Sequence, residues 1–567
     1  MKKPIVSFKD FSFKYRSQTE PSLTNINLTI FEGEKVLIVG PSGSGKSTLA
    51  HCINGLVPFA YKGDIAGSLT IKGKETKELD LFTLSKVVGT VMQDPDGQFI
   101  GLTVGEDISF ALENDAVANE QMKERVEQVA QLVNMENHLE SSLHQLSGGQ
   151  KQRVSLGGVM VDDVDVLLFD EPLANLDPAT GKYSIALIDQ IHKESNKTII
   201  MIEHRLEDVL YRDVDRIIVI NDGQIVSDSN PDELISSTVL LENNIREPLY
   251  VRAMKYAGCT ITASMKPAHP DTIEINKEKL HDWYEERPHK ELNVGSSPIL
   301  EVDNVTFAYD TGKTAIQDMS FTIHQGEMVS IVGQNGAGKS TVSKLIVGFE
   351  KVHHGRVLFK GEDITSDSIH QRSERIGMVM QNPNQMISKH LIYDEVALGL
   401  VKRGVADNLI KERVEKTLRI CGLYPFRNWP ISALSFGQKK RVTIASILVL
   451  EPEVLILDEP TAGQDFRHYT EIMEFLEDLN RRGITIIMIT HDMHLMLEYT
   501  PRAIAIAHGK KIADDTAVNV LTNQAVIHAT NLKVTSLFEL AVRAKIADPR
   551  EFVARFIAYD REVRTWQ

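Results

Sequence analysis

The chain has 567 residues, of which 42% are hydrophobic and 25% are charged, and its net charge is −16. This length and composition predict a globular protein of several domains, and the acidic balance argues against nucleic acid as the main partner. Three isolated cysteines exclude a disulfide scaffold. No apolar run approaches the roughly 20 residues that span a bilayer, and the N-terminus lacks the apolar core of a signal peptide, so we expect a cytosolic chain.

The first half alternates short strands with amphipathic helices. Strands are predicted over residues 6–14, 36–39 and 166–169, and a helix is predicted over residues 48–56. This alternation is typical of an α/β fold with a largely parallel sheet.

The sequence motifs of the first half return in the same order in the second half. Each pair shares most of its residues: 37–48 with 330–341, 91–95 with 379–383, 146–150 with 434–438, and 167–172 with 455–460. Strands are again predicted over residues 301–309, 328–332 and 454–457, and a helix over 341–349. Motifs repeated in register predict two homologous domains in tandem.

Residues 259–298 interrupt this pattern, so we predict domains at 1–258 and 299–567. The interruption is rich in proline and contains one predicted helix at residues 276–287, with an apolar face. It is either a linker with a packed helix or a partner-binding arm. Near the other end, Asp548 and Pro549 predict a helix start, and Phe552, Phe556 and Tyr559 form an apolar stripe, which predicts packing against protein.

Both halves carry a phosphate-binding loop between a strand and a helix. The pattern G-x4-G-K-S curls the backbone so that its N–H groups face phosphate at a helix N-terminus. Lys46 and Lys339 are predicted to bridge the outer phosphates, and Ser47 and Ser340 to ligate Mg²⁺. The predicted loop residues are Gly40, Pro41, Ser42, Gly43, Ser44, Gly45, Lys46, Ser47 and Thr48, and Gly333, Gln334, Asn335, Gly336, Ala337, Gly338, Lys339, Ser340 and Thr341.

A pair of acidic residues ends a buried strand in each half. Asp170 and Asp458 follow apolar runs, which places them at the carboxyl edge of the sheet, where α/β folds bind ligands. We expect these aspartates to hold Mg²⁺. Glu171 and Glu459 come next and suit a general base that polarises the attacking water.

At this point the sequence resembles the ATPases of the ATP-binding-cassette (ABC) family. The two signature segments, LSGGQ at residues 146–150 and LSFGQ at residues 434–438, carry the resemblance. It implies two P-loop ATPase domains, each with a mainly parallel sheet, an antiparallel β subdomain and a helical subdomain that bears the signature. The implied site residues are the glutamines Gln93 and Gln381 at the metal, the switch histidines His204 and His491, the adenine-stacking Tyr15 and Tyr309, and the signature residues Ser147, Gly148, Gly149, Gln150, Ser435, Gly437 and Gln438.

The resemblance also implies how two cassettes work together. Each ATP is sandwiched between the phosphate loop of one cassette and the signature of the other, and here that pairing is expected within one chain. Both halves retain the catalytic glutamate and histidine, so two competent sites are expected. Phe436 departs from the usual glycine, but its neighbours Ser435 and Gly437 carry the expected phosphate contacts.

Several biological roles remain open for such an ATPase. The segments after Gln93 and Gln381 resemble those of energy-coupling-factor importers, and a fused pair resembles the hydroxymethylpyrimidine or thiamine subgroup. This implies a peripheral protein at the cytoplasmic membrane face, bound to a multi-spanning scaffold and a substrate-binding membrane component, with residues 94–102 and 382–391 as docking surfaces. The alternatives are a soluble tandem cassette acting on ribosomes or nucleic acid, and a two-cassette sugar importer ATPase. The resemblance to these importers implies a vitamin or a metal ion as the cargo.

Overall fold

The computed structural model describes residues 2–564 except 175, 288–296, 311 and 313. The described chain divides into two compact units, residues 1–280 and residues 281–567, with residues 465–467 grouped with the first. Part of the predicted interdomain segment, residues 288–296, lies outside the described residues.

The first unit begins with long strands of alternating burial and continues with short, fully buried ones. Its strands are β1 (Pro4–Tyr15), β2 (Leu23–Phe31), β3 (Lys35–Val39), β4 (Gly63–Ile71), β5 (Lys74–Glu75), β6 (Val88–Val91), β7 (Val166–Asp170), β8 (Thr198–Ile202), β9 (Arg216–Asn221) and β10 (Gln224–Ser229). One sheet is antiparallel, in the order β2-β1-β4-β5. The other has the order β10-β9-β3-β8-β7-β6 and is parallel except at β10.

Helices flank these sheets. They are α1 (Lys46–Ile53), α2 (Leu56–Phe59), α3 (Leu81–Ser85), α4 (Val104–Asn114), α5 (Asn119–Leu132), α6 (Gly148–Met160), α7 (Pro178–Ser195), α8 (Leu206–Val209), α9 (Pro231–Ser236), α10 (Val239–Glu242), α11 (Leu249–Tyr256) and α12 (Lys277–Glu285). The helices α4, α5 and α6 pack on one another as the predicted helical subdomain. A core that includes Phe13, Ile26, Val36 and Ile200 lies between the two sheets.

The second unit repeats this plan. Its strands are β11 (Pro298–Ala308), β12 (Thr314–His324), β13 (Met328–Val332), β14 (His354–Phe359), β15 (Glu362–Asp363), β16 (Ile376–Val379), β17 (Val454–Asp458), β18 (Thr485–Ile489), β19 (Arg502–Ala507) and β20 (Lys510–Thr516). The antiparallel sheet has the order β12-β11-β14-β15, and the mainly parallel sheet has the order β16-β17-β18-β13-β19-β20. The repeated architecture confirms the predicted α/β fold with two equivalent domains.

The helices of this unit follow the same sequence, with a C-terminal extension. They are α13 (Lys339–Val347), α14 (Ile369–Ser373), α15 (Ile392–Lys402), α16 (Asp407–Ile420), α17 (Phe436–Leu448), α18 (Phe466–Arg481), α19 (Met493–Tyr499), α20 (Ala517–Thr522), α21 (Gln524–Thr530), α22 (Ser536–Ala544) and α23 (Pro549–Arg564). Within the part of the chain that the structure describes, every helix is too short or too polar to cross a membrane.

Helix α23 begins as the sequence predicts. The Asp548 carboxylate accepts the N–H groups of Arg550 and Glu551, and Phe552 and Phe556 are fully buried. Trp283, in the part of α12 that belongs to the second unit, meets Phe552 edge-on at 5.5 Å between ring centroids. The stripe of α23 is therefore covered by protein, as expected.

The helices after the phosphate loops differ from the prediction. They begin at Lys46 and Lys339, two residues before the predicted starts at 48 and 341. Gly45 and Gly338 adopt left-handed φ angles of 104° and 106° and act as N-caps. A left-handed glycine ends the loop without steric cost, so the lysine already lies in the first helical turn.

Candidate functional site

The two phosphate loops lie at the carboxyl ends of β3 and β13, each in the middle of its parallel sheet. Each lysine turns back onto its own loop. Lys46 Nζ donates to Gly40 O at 2.9 Å and to Pro41 O at 2.8 Å, and Lys339 Nζ donates to Gly333 O at 2.8 Å. The ammonium groups therefore close the loops and lie at the mouths of the expected phosphate cradles.

The first glycine of each loop is required by packing. A Cβ on Gly40 would lie 2.1 Å from Ile220 O, and one on Gly333 would lie 2.0 Å from Ile506 O. These carbonyls belong to the neighbouring strands β9 and β19, so a side chain at either position would displace the loop from its sheet.

The groups in the first loop fit a bound phosphate chain. Ser44 is 2% exposed, and its Oγ has no hydrogen-bond partner among the described residues. A buried hydroxyl without a partner is costly unless a ligand satisfies it. Burial also lowers the pKa of Lys46 to about 8, opposed first by the charge of Glu171, so an anionic ligand would stabilise the ammonium form.

Asp170 and Asp458 are the last residues of β7 and β17. One strand, β8 or β18, separates each of these from the strand that carries the phosphate loop. Burial, and then the charge of the adjacent glutamate, raises the pKa of each aspartate to about 6. Ser340 Oγ donates to Asp458 Oδ2 at 3.1 Å. A half-buried carboxylate next to a serine hydroxyl is a donor set that suits Mg²⁺, because a cation offsets the cost of the charge.

Glu171 is held by two side chains in the first half. His204 Nε2 lies 2.7 Å from Glu171 Oε1, and Gln93 Nε2 donates to Glu171 Oε2 at 2.6 Å. Burial by itself would raise the pKa of Glu171, but the His204 contact and the charge of Lys46 bring it below its ordinary value. Gln93 and His204, which follow β6 and β8, therefore both contact the carboxylate of Glu171, which follows β7.

Glu459 has the matching position in the second half. His491 Nδ1 lies 2.7 Å from Glu459 Oε1. Both glutamates adopt left-handed backbone angles, with φ of 48° and 47°, and both donate their N–H to the next strand, at Ile202 O and Ile489 O. Non-glycine residues rarely adopt this conformation, which is often found at functional sites.

The two tyrosines predicted to stack on adenine reach the helices that follow the phosphate loops. Tyr15 Oη donates to Thr48 Oγ1 at 3.2 Å, and Tyr309 Oη lies 3.1 Å from Thr341 Oγ1. Each ring therefore stands beside the loop of its own half, where a nucleotide base would extend from the phosphates.

The signature segments open the helices α6 and α17. Ser147 and Ser435 are the N-caps, and each forms a capping box with the glutamine three residues later, Gln150 or Gln438. Phe436 is the first helical residue of α17 and is 43% exposed. Because that position needs ordinary helical angles, phenylalanine replaces glycine there without backbone strain.

Known proteins share both the motifs and the full length of this chain. The ABC transporter profile matches residues 23–174 and 316–462. A protein of Clostridium perfringens (strain 13 / Type A), named "Putative ABC transporter ATP-binding protein", is 58% identical over 99% of this chain and 100% of its own. The chain belongs to the ABC transporter family. It is an ATP-binding, ATP-hydrolysing component, which confirms the resemblance and the two ABC ATPase domains predicted from the sequence.

Other similarities extend over this ATPase or parts of it. A protein of Enterococcus faecalis (strain ATCC 700802 / V583) with the same name is 58% identical over the whole of both chains. A second profile, described as "ATP-binding cassette cobalt transporter", matches residues 237–307. A solved structure of CbiO1 from Clostridium perfringens, described as part of the ABC transporter complex CbiONQ, is 36% identical over 42% of this chain and 95% of its own, with a TM-score of 0.39.

The structure adds polar residues that the sequence analysis missed. Gln152 and Lys440 stand at equivalent positions, five residues after the signature serine, and both are buried. Gln152 Nε2 donates to Pro172 O, whereas Lys440 Nζ donates to Glu459 O at 3.0 Å and to Pro460 O at 2.7 Å. The sequence pattern that could have indicated them is a polar residue on the inner face of a helix, because a buried polar group needs a hydrogen-bond partner.

Proposed function

We propose that this ATPase is the energy-coupling subunit of a membrane importer of the energy-coupling-factor type. The observation that carries the proposal is the repeated site: each half brings a loop lysine, an Asp-Glu pair and a switch histidine to one edge of its parallel sheet. The match of residues 237–307 to a profile described as a cobalt-transporter cassette favours this importer type. The cargo we propose is hydroxymethylpyrimidine or thiamine, another vitamin, or a metal ion.

The residues of each half have distinct roles in this proposal. The N–H groups of the loop and Lys46 bind the outer phosphates, and Glu171 accepts a proton from the attacking water while His204 holds its carboxylate in place. Mg²⁺, held by Asp170, Ser47 and Gln93, would neutralise phosphate charge when bound. The second half uses Lys339, Glu459 and His491, with Asp458, Ser340 and Gln381 at the metal.

The two ATP molecules are proposed to bind at composite sites within one chain. The N-terminus of α17, with Ser435, Gly437 and Gln438, would complete the site of the first half, and that of α6, with Ser147, Gly149 and Gln150, would complete the other. A helix N-terminus carries about half a positive charge and exposes N–H groups, which suits the γ-phosphate. The presence of both complete residue sets in one chain supports this pairing.

The surface that would meet the membrane subunits follows Gln93. Ile100 and Leu102 are 62% and 78% exposed, although both are large and apolar. Neighbouring apolar side chains left in solvent are typical of a protein interface. We propose residues 94–102, with residues 382–391 in the second half, as the docking segments for a multi-spanning scaffold at the cytoplasmic membrane face.

Affinity purification from gently solubilised membranes tests the importer proposal. The tagged chain is expected to bring down a multi-spanning protein and a small membrane protein, whose bound solute identifies the cargo. Ile100→Ser with Leu102→Ser should abolish capture, whereas Val542→Ser, a control at another exposed apolar residue, should not. Capture of ribosomes, or of an unrelated sugar permease, would overturn the proposal in favour of one of the alternative roles.

A further inference from the structure

In the first half, three consecutive residues after β8 each hold a different group of residues 171–173. Glu203 Oε1 accepts the Leu173 N–H at 2.8 Å, His204 contacts the Glu171 carboxylate, and the Arg205 guanidinium donates to Leu173 O. Leu173 is therefore held at both its N–H and its C=O by the residues on either side of the switch histidine.

The Glu203 carboxylate is built into this arrangement. It is 2% exposed, and its second oxygen accepts the N–H groups of His204 and Arg205 at 2.8 and 3.2 Å. A buried carboxylate is stable only when it is well hydrogen-bonded. The side chain thus fixes the loop of the switch histidine and the segment after the catalytic glutamate to each other.

In the second half, the equivalent flanking residues are Thr490 and Asp492, and they bond within their own loop. Thr490 Oγ1 accepts the Asp492 N–H at 2.9 Å, and the Asp492 carboxylate caps α19 by accepting the N–H groups of His494 and Leu495. His491 still reaches Glu459, so the switch contact itself is common to both halves.

A different element holds the segment after Glu459. Lys440, on the signature helix α17, is 4% exposed and donates to both Glu459 O and Pro460 O. At the equivalent position of α6, Gln152 donates to Pro172 O and accepts from Ser184 Oγ at 3.0 Å. The second half therefore ties this segment to its signature helix through a cation with two bonds.

We propose that Glu203 and Arg205 in the first half, and Lys440 in the second, are positioning residues that couple the catalytic glutamates to different elements. In the first half, the segment after the glutamate is tied to the loop of the switch histidine as well as, through Gln152, to the signature helix. In the second, the described bonds of this kind run to the signature helix, and the residues that flank the switch histidine bond within their own loop. The two sites are then inequivalent although their motif residues match, an inference that rests on the proposed catalytic role of Glu171 and Glu459.

Amide hydrogen exchange of the nucleotide-free chain tests the coupling directly. Glu203→Thr with Arg205→Asp, which installs the residues of the second half, should speed exchange of the Leu173 and Ala174 amides at least 10-fold and leave the Thr461 and Ala462 amides unchanged. Lys440→Gln, which installs the residue of the first half, should speed exchange of the Thr461 and Ala462 amides and leave the Leu173 and Ala174 amides unchanged. Unchanged exchange in both variants, or a uniform increase over the whole chain, would overturn the proposal.

ATPase kinetics of the same variants test the consequence for turnover. We expect kcat to fall about 10-fold with the KM for ATP within two-fold, because the phosphate loops are untouched. Arg205→Lys keeps one donor to Leu173 O and should restore most of the turnover, and it also serves if the double variant does not fold. A KM that rises as kcat falls, or an Arg205→Lys variant as impaired as the Glu203→Thr, Arg205→Asp double variant, would contradict a positioning role.

Failure of the proposed function gives a different result. If Lys46→Ala with Lys339→Ala still binds and hydrolyses ATP at the parental rate, the assigned sites are wrong. The hydrogen-exchange experiment needs no nucleotide. It therefore tests the coupling whatever the ATPase activity of the lysine variants turns out to be.

Discussion

The two halves of the chain bring the proposed catalytic glutamate and histidine together through different contacts. In the first, His204 presents Nε2 to Glu171, and in the second, His491 presents Nδ1 to Glu459. Burial is the largest influence on the pKa of both glutamates and would raise it, but the histidine contact brings the pKa of each below its ordinary value. Identical motif residues therefore adopt different local geometry, because the residues around them differ.

A second difference concerns the groups next to the acidic pair. Gln93 bonds to Glu171 in the first half, whereas Ser340 bonds to Asp458 in the second. The first contact joins a predicted metal ligand to the predicted general base, whereas the second joins two predicted metal ligands. The motifs thus determine which polar side chains are present at each site, whereas the neighbouring residues determine which of these side chains form hydrogen bonds with one another.

The largest expected effect comes from replacing the proposed catalytic glutamates one at a time. Glu171→Gln and Glu459→Gln remove the proposed general base at one site each, and we expect each to lower turnover at least about 100-fold at that site. Phosphate release by the purified chain measures this. A single variant that retains the parental turnover would show that its half is silent and would end the comparison of two working sites.

Protonation of the buried aspartates gives a pH-dependent difference in stability. The pKa of Asp170 and Asp458 is raised from 3.8 to about 6, so each favours the folded state below its ordinary pKa and loses that contribution as pH rises through about 6. Asp170→Asn and Asp458→Asn should each stabilise the nucleotide-free chain at about pH 8 by up to about 3 kcal/mol relative to about pH 4.

Denaturant unfolding of the aspartate variants at both pH values measures this effect. Asp228→Asn is a control at a half-buried aspartate outside the sites, whose pKa burial also raises. If the site variants gain the same free energy of unfolding at both pH values, burial does not raise the pKa of these carboxylates. A gain in one half alone would show that the two sites differ in charge.

The tyrosines should contribute less than the glutamates. Stacking of a base on an aromatic ring is worth about 1–3 kcal/mol, so Tyr15→Ala or Tyr309→Ala should weaken ATP binding about 10-fold in its own half. Tyr→Phe at either position keeps the ring and loses the hydroxyl contacts, to Thr48 and His51 for Tyr15 and to Thr341 for Tyr309, and should bind almost normally. Fluorescent-nucleotide titration distinguishes a stacking tyrosine from one that only packs against the helix.

The smallest expected effect is at the signature departure. Phe436→Gly restores the commoner residue at an exposed position with helical angles, and we expect turnover to change less than two-fold. A larger gain, seen in the same phosphate-release measurement, would mean that the phenylalanine weakens the second composite site and that the halves already differ there.

Much of the site was predictable because its chemistry depends on short, ordered motifs. The spacing from Gly40 to Ser47 identifies a phosphate loop, and the apolar run before Asp170 identifies a buried strand that ends at the ligand edge. Glu203 and Lys440 were not predictable in the same way. Their partners, Leu173 and Pro460, are distant in sequence, and a glutamate or lysine on its own gives no indication of what it will meet when buried.

The sequence by itself determined the duplication, the α/β fold, the ABC family and the set of groups available to bind ATP, because these depend on residue type, order and spacing. Only the tertiary structure decided that His204 and His491 use different ring nitrogens, that the glutamates adopt left-handed angles, and that the first half ties the segment after its glutamate to the histidine loop in addition to the signature helix. The physical reason is that such contacts depend on which side chains burial brings within hydrogen-bond distance, and two copies of one motif with different neighbours satisfy their buried polar groups in different ways.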